Sequence, residues 1–517
     1  MTIKLLRFLA GTLAAGLVLV TEFAPAFGQD TQQPPAVPAE ELPAGSEVLS
    51  GGPVHEAFAQ PVSMEAQTPI QAPKQPPENL QEMPPAERPA GAGIVWVPGY
   101  WAWDADRNDY IWVSGCWRNA PPNTYWVPGH WLAAGNTWEW IGGFWKPITA
   151  QPQQEVEYLP APPAPVEVEA PGSPPQPDQV WVPGCWYWDQ GRYVPRHGYW
   201  IGQQIGWVWV PSHFAWTPRG YLFVSGHWDH DMDNRGVLFC PTFFPPEVRL
   251  RAGFVFSPGV CVDLGMLRLN LFVYPRYRHY YFGDYYDDAY VRLGFLPWFK
   301  CQTVHTWYDP LFVYDRWHFR QTEPHWAANQ ARGFELRRSN RDLRPARTFA
   351  ALQVQMTRLP ANRRPERPLV ESVKTYAVSQ HTPVRFERIN TAERQQIAVK
   401  ARDVRTFRDQ RSQWEASPAQ RPTAVAPGPV AKPTRTVRTP AVVAPREVRV
   451  TQPERVAVPN TPRAPQLTES RFIAKQPPNH PAQEQAHVAP AMSPKSPGRD
   501  SQASPNSKAS PNGDRRR

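Results

Sequence analysis

The sequence predicts an all-β protein with two blocks of short antiparallel strands, arranged as tryptophan-rich meanders. A six-residue pattern, Trp-Val-Pro-Gly-x-Trp or a close variant, recurs about eight times between Trp96 and Trp228. Stretches rich in Asp, Asn, Gly and Pro separate the copies, as turns separate the strands of a meander. A repeat at a fixed period indicates a stacked or paired supersecondary unit.

The copies share a spacing and fall into two blocks. Starts at 112, 126 and 140 are 14 residues apart, as are those at 181, 195, 209 and 223. This stretch holds 18 of the 23 tryptophans, so we expect most indoles to form a core, with a minority facing outward. The clear copies are Trp96–Trp101, Trp112–Trp117, Trp126–Trp131, Trp140–Trp145 and Trp181–Trp186, and the weaker ones are Pro195–Trp200, Trp209–Phe214 and Phe223–Trp228.

The third and fourth positions of a copy break a regular strand. Proline has no N–H for the ladder, and Pro-Gly is a turn or bulge signal. Pro98-Gly99, Pro128-Gly129 and Pro183-Gly184 therefore predict a kink within each strand. We expect the glycine to leave bare backbone on which a neighbouring indole lies.

The N-terminus has the pattern of an export signal. Lys4 and Arg7 precede the apolar run Phe8–Val20, and Ala26-Phe27-Gly28 offers a small-x-small cleavage site. Residues 1–28 are therefore predicted to be a signal peptide, with an uncleaved anchor as the alternative. We expect an exported protein of the periplasm, the cell envelope or the extracellular space.

Composition divides the remaining chain. Pro-rich residues 29–93 and 149–179 are predicted to be disordered linkers around repeat blocks at 94–148 and 180–237. Residues 238–330 form an aromatic, tyrosine-rich module, and 331–416 are basic and partly helical. The clearest helix is predicted over 391–416, where Thr391 can cap and Glu393 lies in the first turn. The tail 417–517 is expected to be disordered.

Charge is distributed unevenly along the chain. Residues 331–517 carry 35 Lys/Arg against 15 Asp/Glu, whereas residues 1–330 carry 20 against 31. Behind an export signal, such a basic arm favours lipid head groups, an acidic polysaccharide or the protein's own acidic half over nucleic acid as the partner. A solvated tail that binds nothing specifically is the alternative.

The five cysteines give two candidate disulfides. Cys116 and Cys185 share the fifth repeat position in different blocks, and Cys240 and Cys261 flank a predicted hairpin. An exported location permits disulfides, although sequence alone does not fix their pairing. Cys301 is left over.

One acidic loop has the spacing of a calcium site. Asp229, Asp231 and Asp233 follow the Asp-x-Asp-x-Asp pattern, in which alternate carboxylates converge on a hard cation. Asn234 stands where an EF-hand has glycine, and Asp and Asn are also ordinary turn residues. Calcium is the one cofactor that the sequence suggests.

Aromatic and histidine side chains at the fifth repeat position are candidates for ligand binding. Exposed aromatic rings stack on sugars and cations, whereas exchange of His with Tyr and Phe also fits simple packing. The candidates are Tyr100, His130, Tyr199, His213 and His227.

The motif resembles a known repeat family. Trp-Val-Pro-Gly-Tyr-Trp and its variants are similar to the Tyr-x-Trp-Gly-x-Trp, or Trp-x-x-Gly-x-Trp, repeat of exported bacterial proteins. The resemblance covers about 96–228, roughly a quarter of the chain, with departures at 195–200 and 209–214 where a tryptophan is lost. It implies an envelope or secreted repeat protein without an assigned activity.

The sequence therefore predicts a non-enzymatic, exported structural or adhesive protein that binds an envelope or matrix component. The alternative is a carbohydrate-binding module that stacks sugars on exposed Trp and Tyr. A hydrolase site among Asp284, Asp287 and Asp288 is a third interpretation, which no catalytic motif supports.

Overall fold

The computed structural model describes residues 42–63, 69–148, 154–165, 170, 172–303, 307–360, 364–416 and 434–437. The predicted signal peptide and most of the predicted tail lie outside these ranges. The described residues all belong to one compact unit. None of their helices is both long and apolar enough to cross a membrane.

The segment 42–93 was predicted to be a disordered linker, and this prediction is wrong for the described residues 42–63 and 69–93. All six of its strands pair with distant parts of the chain: for example, Val62–Ser63 pairs with Trp307–Tyr308, and Glu87–Pro89 with Phe386–Arg388. Backbone pairing of this kind needs no apolar pattern in the segment itself. The strands are β1 (Glu47–Val48), β2 (Gly52–Pro53), β3 (Val62–Ser63), β4 (Ile70–Ala72), β5 (Gln81–Glu82) and β6 (Glu87–Pro89).

The first repeat block consists of eight short strands. Each copy of the motif contains the end of one strand and the start of the next, with the break at its third and fourth positions, which confirms the predicted kinks. The strands are β7 (Ile94–Val97), β8 (Tyr100–Asp104), β9 (Asp109–Val113), β10 (Cys116–Asn119), β11 (Thr124–Val127), β12 (His130–Ala134), β13 (Thr137–Ile141) and β14 (Phe144–Pro147).

The second block repeats this arrangement after β15 (Gln154–Glu157). β15 pairs with Thr434–Val437, and Tyr158 and Leu159 are buried, so the predicted linker 149–179 is partly ordered. The strands of the second block are β16 (Gln179–Val182), β17 (Cys185–Asp189), β18 (Arg192–Arg196), β19 (Tyr199–Gly202), β20 (Trp207–Val210), β21 (His213–Thr217), β22 (Gly220–Val224) and β23 (His227–His230).

Consecutive copies pair two by two into four units. Unit 1 joins the copies that begin at Trp96 and Trp112, unit 2 those at Trp126 and Trp140, unit 3 those at Trp181 and Pro195, and unit 4 those at Trp209 and Phe223. In every unit, position one of each copy lies opposite position six of the other. The register is the same on both sides of the kink, so each unit is a hairpin interrupted symmetrically at its centre.

Short strands and helices follow the repeats. These strands pair in the antiparallel sense, except for β26, which runs parallel to β5. The strands are β24 (Gly236–Val237), β25 (Thr242–Phe243), β26 (Val255–Phe256), β27 (Val260–Val262), β28 (Leu271–Tyr274), β29 (His279–Phe282), β30 (Leu296–Pro297) and β31 (Trp307–Tyr308), and the helices are α1 (Pro246–Arg249), α2 (Leu264–Leu269) and α3 (Asp288–Leu293).

The basic C-terminal region is largely helical where it is described. The helix predicted over 391–416 is confirmed with those bounds, but Asn390 caps it instead of Thr391. Asn390 Oδ1 accepts from the N–H of Glu393, whose carboxylate accepts from the N–H of Asn390, which forms a capping box. The elements are α4 (Pro310–Phe319), α5 (Trp326–Ser339), α6 (Phe349–Arg358), β32 (Val370–Ser372), α7 (Val373–Val378), β33 (Phe386–Arg388), α8 (Thr391–Ala416) and β34 (Thr434–Val437).

The core combines parts of the chain that the sequence predicts to be separate. Its largest buried cluster contains Phe58 of the N-terminal segment, Trp126 and Trp145 of unit 2, Trp298, and Val404 of α8. The molecule is therefore strand-rich and antiparallel, as predicted, with helices packed onto the repeat blocks.

The repeat glycines seat indoles, as predicted. In units 1 and 2 the position-one indole of each copy lies against the glycine of the other, so that a Cβ at Gly115 would lie 2.5 Å from Trp96 Cζ2. Trp181 and Trp209 lie in the same way on Gly198 and Gly226. Gly184 faces the backbone of Arg196 and Gly198, because its partner copy begins with Pro195.

We expect Gly129→Ala to lower the free energy of unfolding by about 2–3 kcal/mol, since overpacking of a filled core costs this much. The new Cβ would lie 2.5 Å from Trp140 Cζ2 and 2.8 Å from the carbonyl oxygen of Ile141. Gly202→Ala is the matched control, because its nearest neighbour is Asp178 Oδ2 at 3.5 Å. Urea unfolding of both variants tests this, and equal stabilities would contradict it.

Candidate functional site: the repeat kinks and the exposed third unit

Each kink leaves backbone N–H groups without a ladder partner. In unit 1 the carboxylate of Glu82 supplies the acceptor: it receives the N–H of Gly99 (2.8 Å), the N–H of Gly115 (2.9 Å) and Trp112 Nε1–H (2.9 Å). Glu82 is 2 % exposed. Burial raises the pKa of this carboxyl, while the three donors oppose the shift. One buried carboxylate thus holds both copies of the unit.

Unit 2 has a similar arrangement with a different glutamate. Glu56 accepts from the N–H of Gly143 (2.9 Å) and from Trp140 Nε1–H (2.8 Å). Its Oε1 also lies 2.9 Å from His279 Nε2. Burial acts to raise the pKa of Glu56, but His279 and the donors hold it below its usual value, and the same contact raises the pKa of His279. The two side chains therefore form a buried ion pair.

The carbonyl groups of the kinks are satisfied from other elements. In unit 1, His55 Nε2 lies 3.2 Å from the carbonyl oxygen of Pro98, and Arg408 of α8 donates to that of Gly99 (3.1 Å). In unit 2, Arg411 of α8 donates to the carbonyl oxygens of Pro128 (2.9 Å) and Gly142 (3.0 Å). Arg408 and Arg411 are buried, so α8 is fixed by the kinks that it covers.

In unit 4 the acceptor for the kink amide comes from the repeat itself. Its first copy has Ser212 where the others have glycine, and Ser212 Oγ accepts from the N–H of Gly226 (2.8 Å). Tyr187 Oη lies 3.1 Å from the same hydroxyl. A neutral hydroxyl here occupies the place that a carboxylate takes in units 1 and 2.

Unit 3 is the most exposed of the four units. Its side chains Trp181, Trp186, Trp188 and Trp200 are half-buried, and Tyr199 is 37 % exposed. By contrast, the four repeat tryptophans of unit 1 are at most 5 % exposed. Pro195, Arg196 and His197 of its second copy are exposed beside these rings, and no described carboxylate accepts from the amides of Gly184 and Gly198. We call residues 181–200 the aromatic surface.

The predicted ligand-binding residues do not form one site. Tyr100, His130 and His227 are buried, His213 is half-buried, and only Tyr199 is exposed. Tyr100 stacks on Trp140 with ring centroids 4.8 Å apart, and His130 Nε2 lies 3.5 Å from Glu415 of α8. The fifth position points into the core in units 1 and 2, so Tyr100 and His130 are packed inside the protein and are not presented to a ligand.

The predicted calcium loop is not assembled, because its carboxylates face different partners. Asp229 is buried against Arg118 (2.5 Å) and Arg235 (2.8 Å). Asp231 accepts from the backbone of Asn234 and caps a short 3-10 helix, and Asp233 pairs with Arg268 (2.8 Å). Alternate residues do not converge here, so these three aspartates stabilise the fold.

The two predicted disulfides are absent, since Cys116, Cys185, Cys240 and Cys261 are free thiols. Phe239, not Cys240, lies opposite Cys261, so the two cysteines occupy positions that face different buried clusters. Cys116 is fully buried in unit 1, whereas Cys185 lies beside Arg196 in unit 3. Burial raises the pKa of all four thiols.

Within the described residues, one histidine–carboxylate group has a spacing suited to a metal: Asp263, Glu371 and His381, with ligand atoms within 4.8 Å of one another. His381 Nε2 lies 2.8 Å from Glu371, and Arg367 lies 3.3 Å from Asp263. Asp263 also caps α2 by accepting from the N–H of Met266. Arg367 and His381 already contact the two carboxylates, so these residues form a polar network that joins β32 to the start of α2.

The three carboxylates of the hydrolase interpretation bind arginines. Asp284 and Asp287 lie 3.5 and 2.8 Å from Arg344, and Asp288 lies 2.8 Å from Arg338. Arg344 itself donates to the carbonyl oxygens of Arg337 and Arg338. These contacts join the tyrosine-rich region to α5 and the turn after it.

A comparison with protein families identifies the repeat. A family model described as WXXGXW repeat (2 copies) matches residues 91–118, 177–200 and 205–228. These three segments are WXXGXW repeats. Each match spans one unit, namely unit 1, 3 or 4, so the two copies of the family model correspond to one paired hairpin. Unit 2 has the same pairing and lies outside the matched residues. No curated protein and no solved structure matches the chain.

Sequence reasoning missed the residues that complete the WXXGXW kinks. Glu56 and Glu82 lie in a Pro- and Gln-rich segment that has no periodic signal. The charged residues on the buried side of α8 did follow a periodic pattern. Arg408, Arg411 and Glu415 extend the sparse apolar stripe of Val404 and Phe407 at helical spacing. Charged residues on the buried side of a helix indicate polar groups in the surface that it covers.

We expect the stabilisation from Glu56 and His279 to peak at mildly acidic pH. The lowered pKa of Glu56 means that its contribution exists above its ordinary value of 4.5 and is lost as pH falls through the folded pKa. The raised pKa of His279 means that its contribution exists below 6.5 and is lost as pH rises through the folded pKa. Glu56→Gln should therefore cost about 3–4 kcal/mol near pH 5.5 and less at pH 3 or pH 9.

Urea unfolding across this pH range measures the difference from wild type. Glu247→Gln is the control, since Glu247 is exposed and should change stability little at any pH. A cost of Glu56→Gln that stays constant with pH would refute the ion pair.

Proposed function

We propose that this protein is an exported, non-enzymatic structural or adhesive protein of the bacterial envelope, and that the aromatic surface of unit 3 is its contact face. One observation carries the proposal: the same repeat positions are buried in unit 1 and partly exposed in unit 3. Partly exposed aromatic rings clustered on one hairpin are typical of interaction sites. The export signal in residues 1–28 supports the location.

The contacts of the buried charged residues support a structural role for the protein. Buried charges at the kinks, in the Asp229 cluster and around Asp263 all bind other parts of the same chain. They join the N-terminal segment, the repeats and the C-terminal helices into one body. A rigid body that presents one exposed unit suits attachment to an envelope or matrix component.

The basic tail supports a second, electrostatic contact. Residues 438–517 carry 13 Lys/Arg against 6 Asp/Glu and follow the last described strand. An anionic surface or polysaccharide would attract such a tail, and salt would weaken the attraction.

A second candidate function is carbohydrate binding at the same aromatic surface. The half-buried Trp181 and Trp200 form a cross-strand pair with ring centroids 5.4 Å apart, beside the exposed Tyr199. Aromatic side chains of this kind present apolar faces with a polar edge. Titration of a broad glycan panel against intrinsic tryptophan fluorescence tests this function, and a flat response across the panel excludes it.

We expect Trp200→Ala to reduce retention of the protein in the envelope fraction at least threefold, because it removes one ring of the contact face. Ile205→Ala is the control, since Ile205 is 68 % exposed, lies just after unit 3 and is outside the aromatic surface. Quantitative immunoblots of fractionated native cells measure retention. Equal retention of wild type and both variants would eliminate the aromatic surface as the contact face.

Deletion of residues 438–517 tests the tail separately, since it leaves every described element in place. We expect the truncated protein to stay exported, and its retention to be less sensitive to salt than that of the full chain. Recovery of both forms in the cytosol would overturn the proposed export.

A further inference from the structure

A buried arginine that has no counter-ion among the described residues lies between the N-terminal segment and unit 4. Arg278 is 5 % exposed and has a left-handed backbone conformation with φ of 54°. Its Nη1 donates to the carbonyl oxygen of Phe214 (2.7 Å), its Nη2 donates to that of Ser63, and its buried Nε has no hydrogen-bond partner in the described part of the chain. Carbonyl oxygens satisfy donors but do not neutralise the charge.

The nearby carboxylate is already used. Glu56 lines the same cavity as Arg278, but it forms the buried ion pair with His279 and accepts from unit 2. No described residue makes a salt bridge with Arg278, and burial lowers its pKa to about 9. A buried cation left in this state is costly unless an anion accompanies it.

The cavity beside Arg278 has a suitable size and lining. Its volume is about 30 Å³, room for a group of the size of a water molecule or a halide ion. His213 and Gln60 form part of its wall, together with the kink of unit 2 at Gly142 and Gly143. The position between two repeat units makes it distinct from the aromatic surface.

We propose that this cavity binds one small monovalent anion, either a halide ion or the carboxylate group of an acidic ligand, with Arg278 as its counter-charge. The inference does not depend on the proposed function. The anion would neutralise Arg278 from within the cavity that this side chain lines, between Gln60 of the N-terminal segment and His213 of unit 4.

His213 couples the site to pH. Its Nδ1 lies 2.9 Å from the carbonyl oxygen of Pro211, and burial together with the charge of Arg278 lowers its pKa to about 3. The other charged or titratable groups around it are His227, Glu56, Tyr277 and His279. An anion offsets the charge of Arg278 and so raises the pKa of His213. By linkage, the anion binds more tightly as pH falls.

Chloride binding to the full chain tests the proposal. The ³⁵Cl NMR linewidth is measured during chloride titration, with ionic strength held by the sodium salt of a bulky sulfonate buffer. Wild type should show saturable broadening that Arg278→Gln reduces at least tenfold. Arg292→Gln is the matched control, because Arg292 is exposed on α3, and it should behave as wild type.

Gln60→Glu keeps the assay decisive if Arg278→Gln does not fold. It places a carboxylate in the cavity wall as an internal counter-charge, and it should abolish the broadening while Arg278 remains. In wild type the chloride affinity should rise as pH falls below 5 toward the pKa of His213, and His213→Gln should reduce this rise.

Competition with acetate separates the two sources of anion. Displacement of chloride by acetate assigns the site to carboxylates as well, and its absence assigns the site to halides. Wild-type broadening that does not saturate, or that is unchanged in both Arg278→Gln and Gln60→Glu, would overturn the proposal.

Discussion

The interrupted β-ladder at the centre of each repeat unit is the constraint on which the rest of the structure depends. An indole can lie flat on the backbone only where a glycine leaves room, and the break that accommodates it leaves N–H and C=O groups unpaired inside the protein. Unpaired buried polar groups cost several times what a surface contact gains, so the chain must supply partners. Glu82, Glu56 and the arginines of α8 are those partners.

This constraint explains why distant segments belong to one body. The partners of the kinks come from both ends of the described chain, because the repeat itself lacks acidic and basic residues at the positions that face its own kinks. The N-terminal segment supplies the carboxylates, and α8 supplies the guanidinium groups on the carbonyl side. Tryptophan suits the first repeat position because its flat ring covers the glycine, and in the second copies of units 1 and 2 its N–H also donates to the same carboxylate. A phenylalanine could cover the glycine but could not donate.

The sequence was sufficient for local features and insufficient for these long-range ones. The kinks, the seated indoles and the bounds of α8 follow from residue types within a few positions of each other. The order of the described residues 42–63 and 69–93 does not, since Glu56 and Glu82 are held by amides of repeat units that lie far from them in the sequence. At Asp229, Asp231 and Asp233 a local pattern predicted too much. Their spacing fits a cation site, but in the folded chain Asp229 neutralises the buried Arg118 and Arg235 instead.

Departures from the repeat consensus mark where the units differ in exposure. The second copy of unit 3 begins Pro195-Arg196-His197. It therefore lacks the aromatic ring at position one and the apolar residue at position two that the other copies have. Without that indole, Gly184 packs on backbone instead of a ring, and the strand edge becomes polar. The second copy of unit 4 has Phe223 in place of tryptophan at position one, but at position two it keeps Val224, which is fully buried. Unit 3 is thus the unit with a charged second position and also the most exposed one, because the exposed Arg196 stands where unit 4 has the buried Val224.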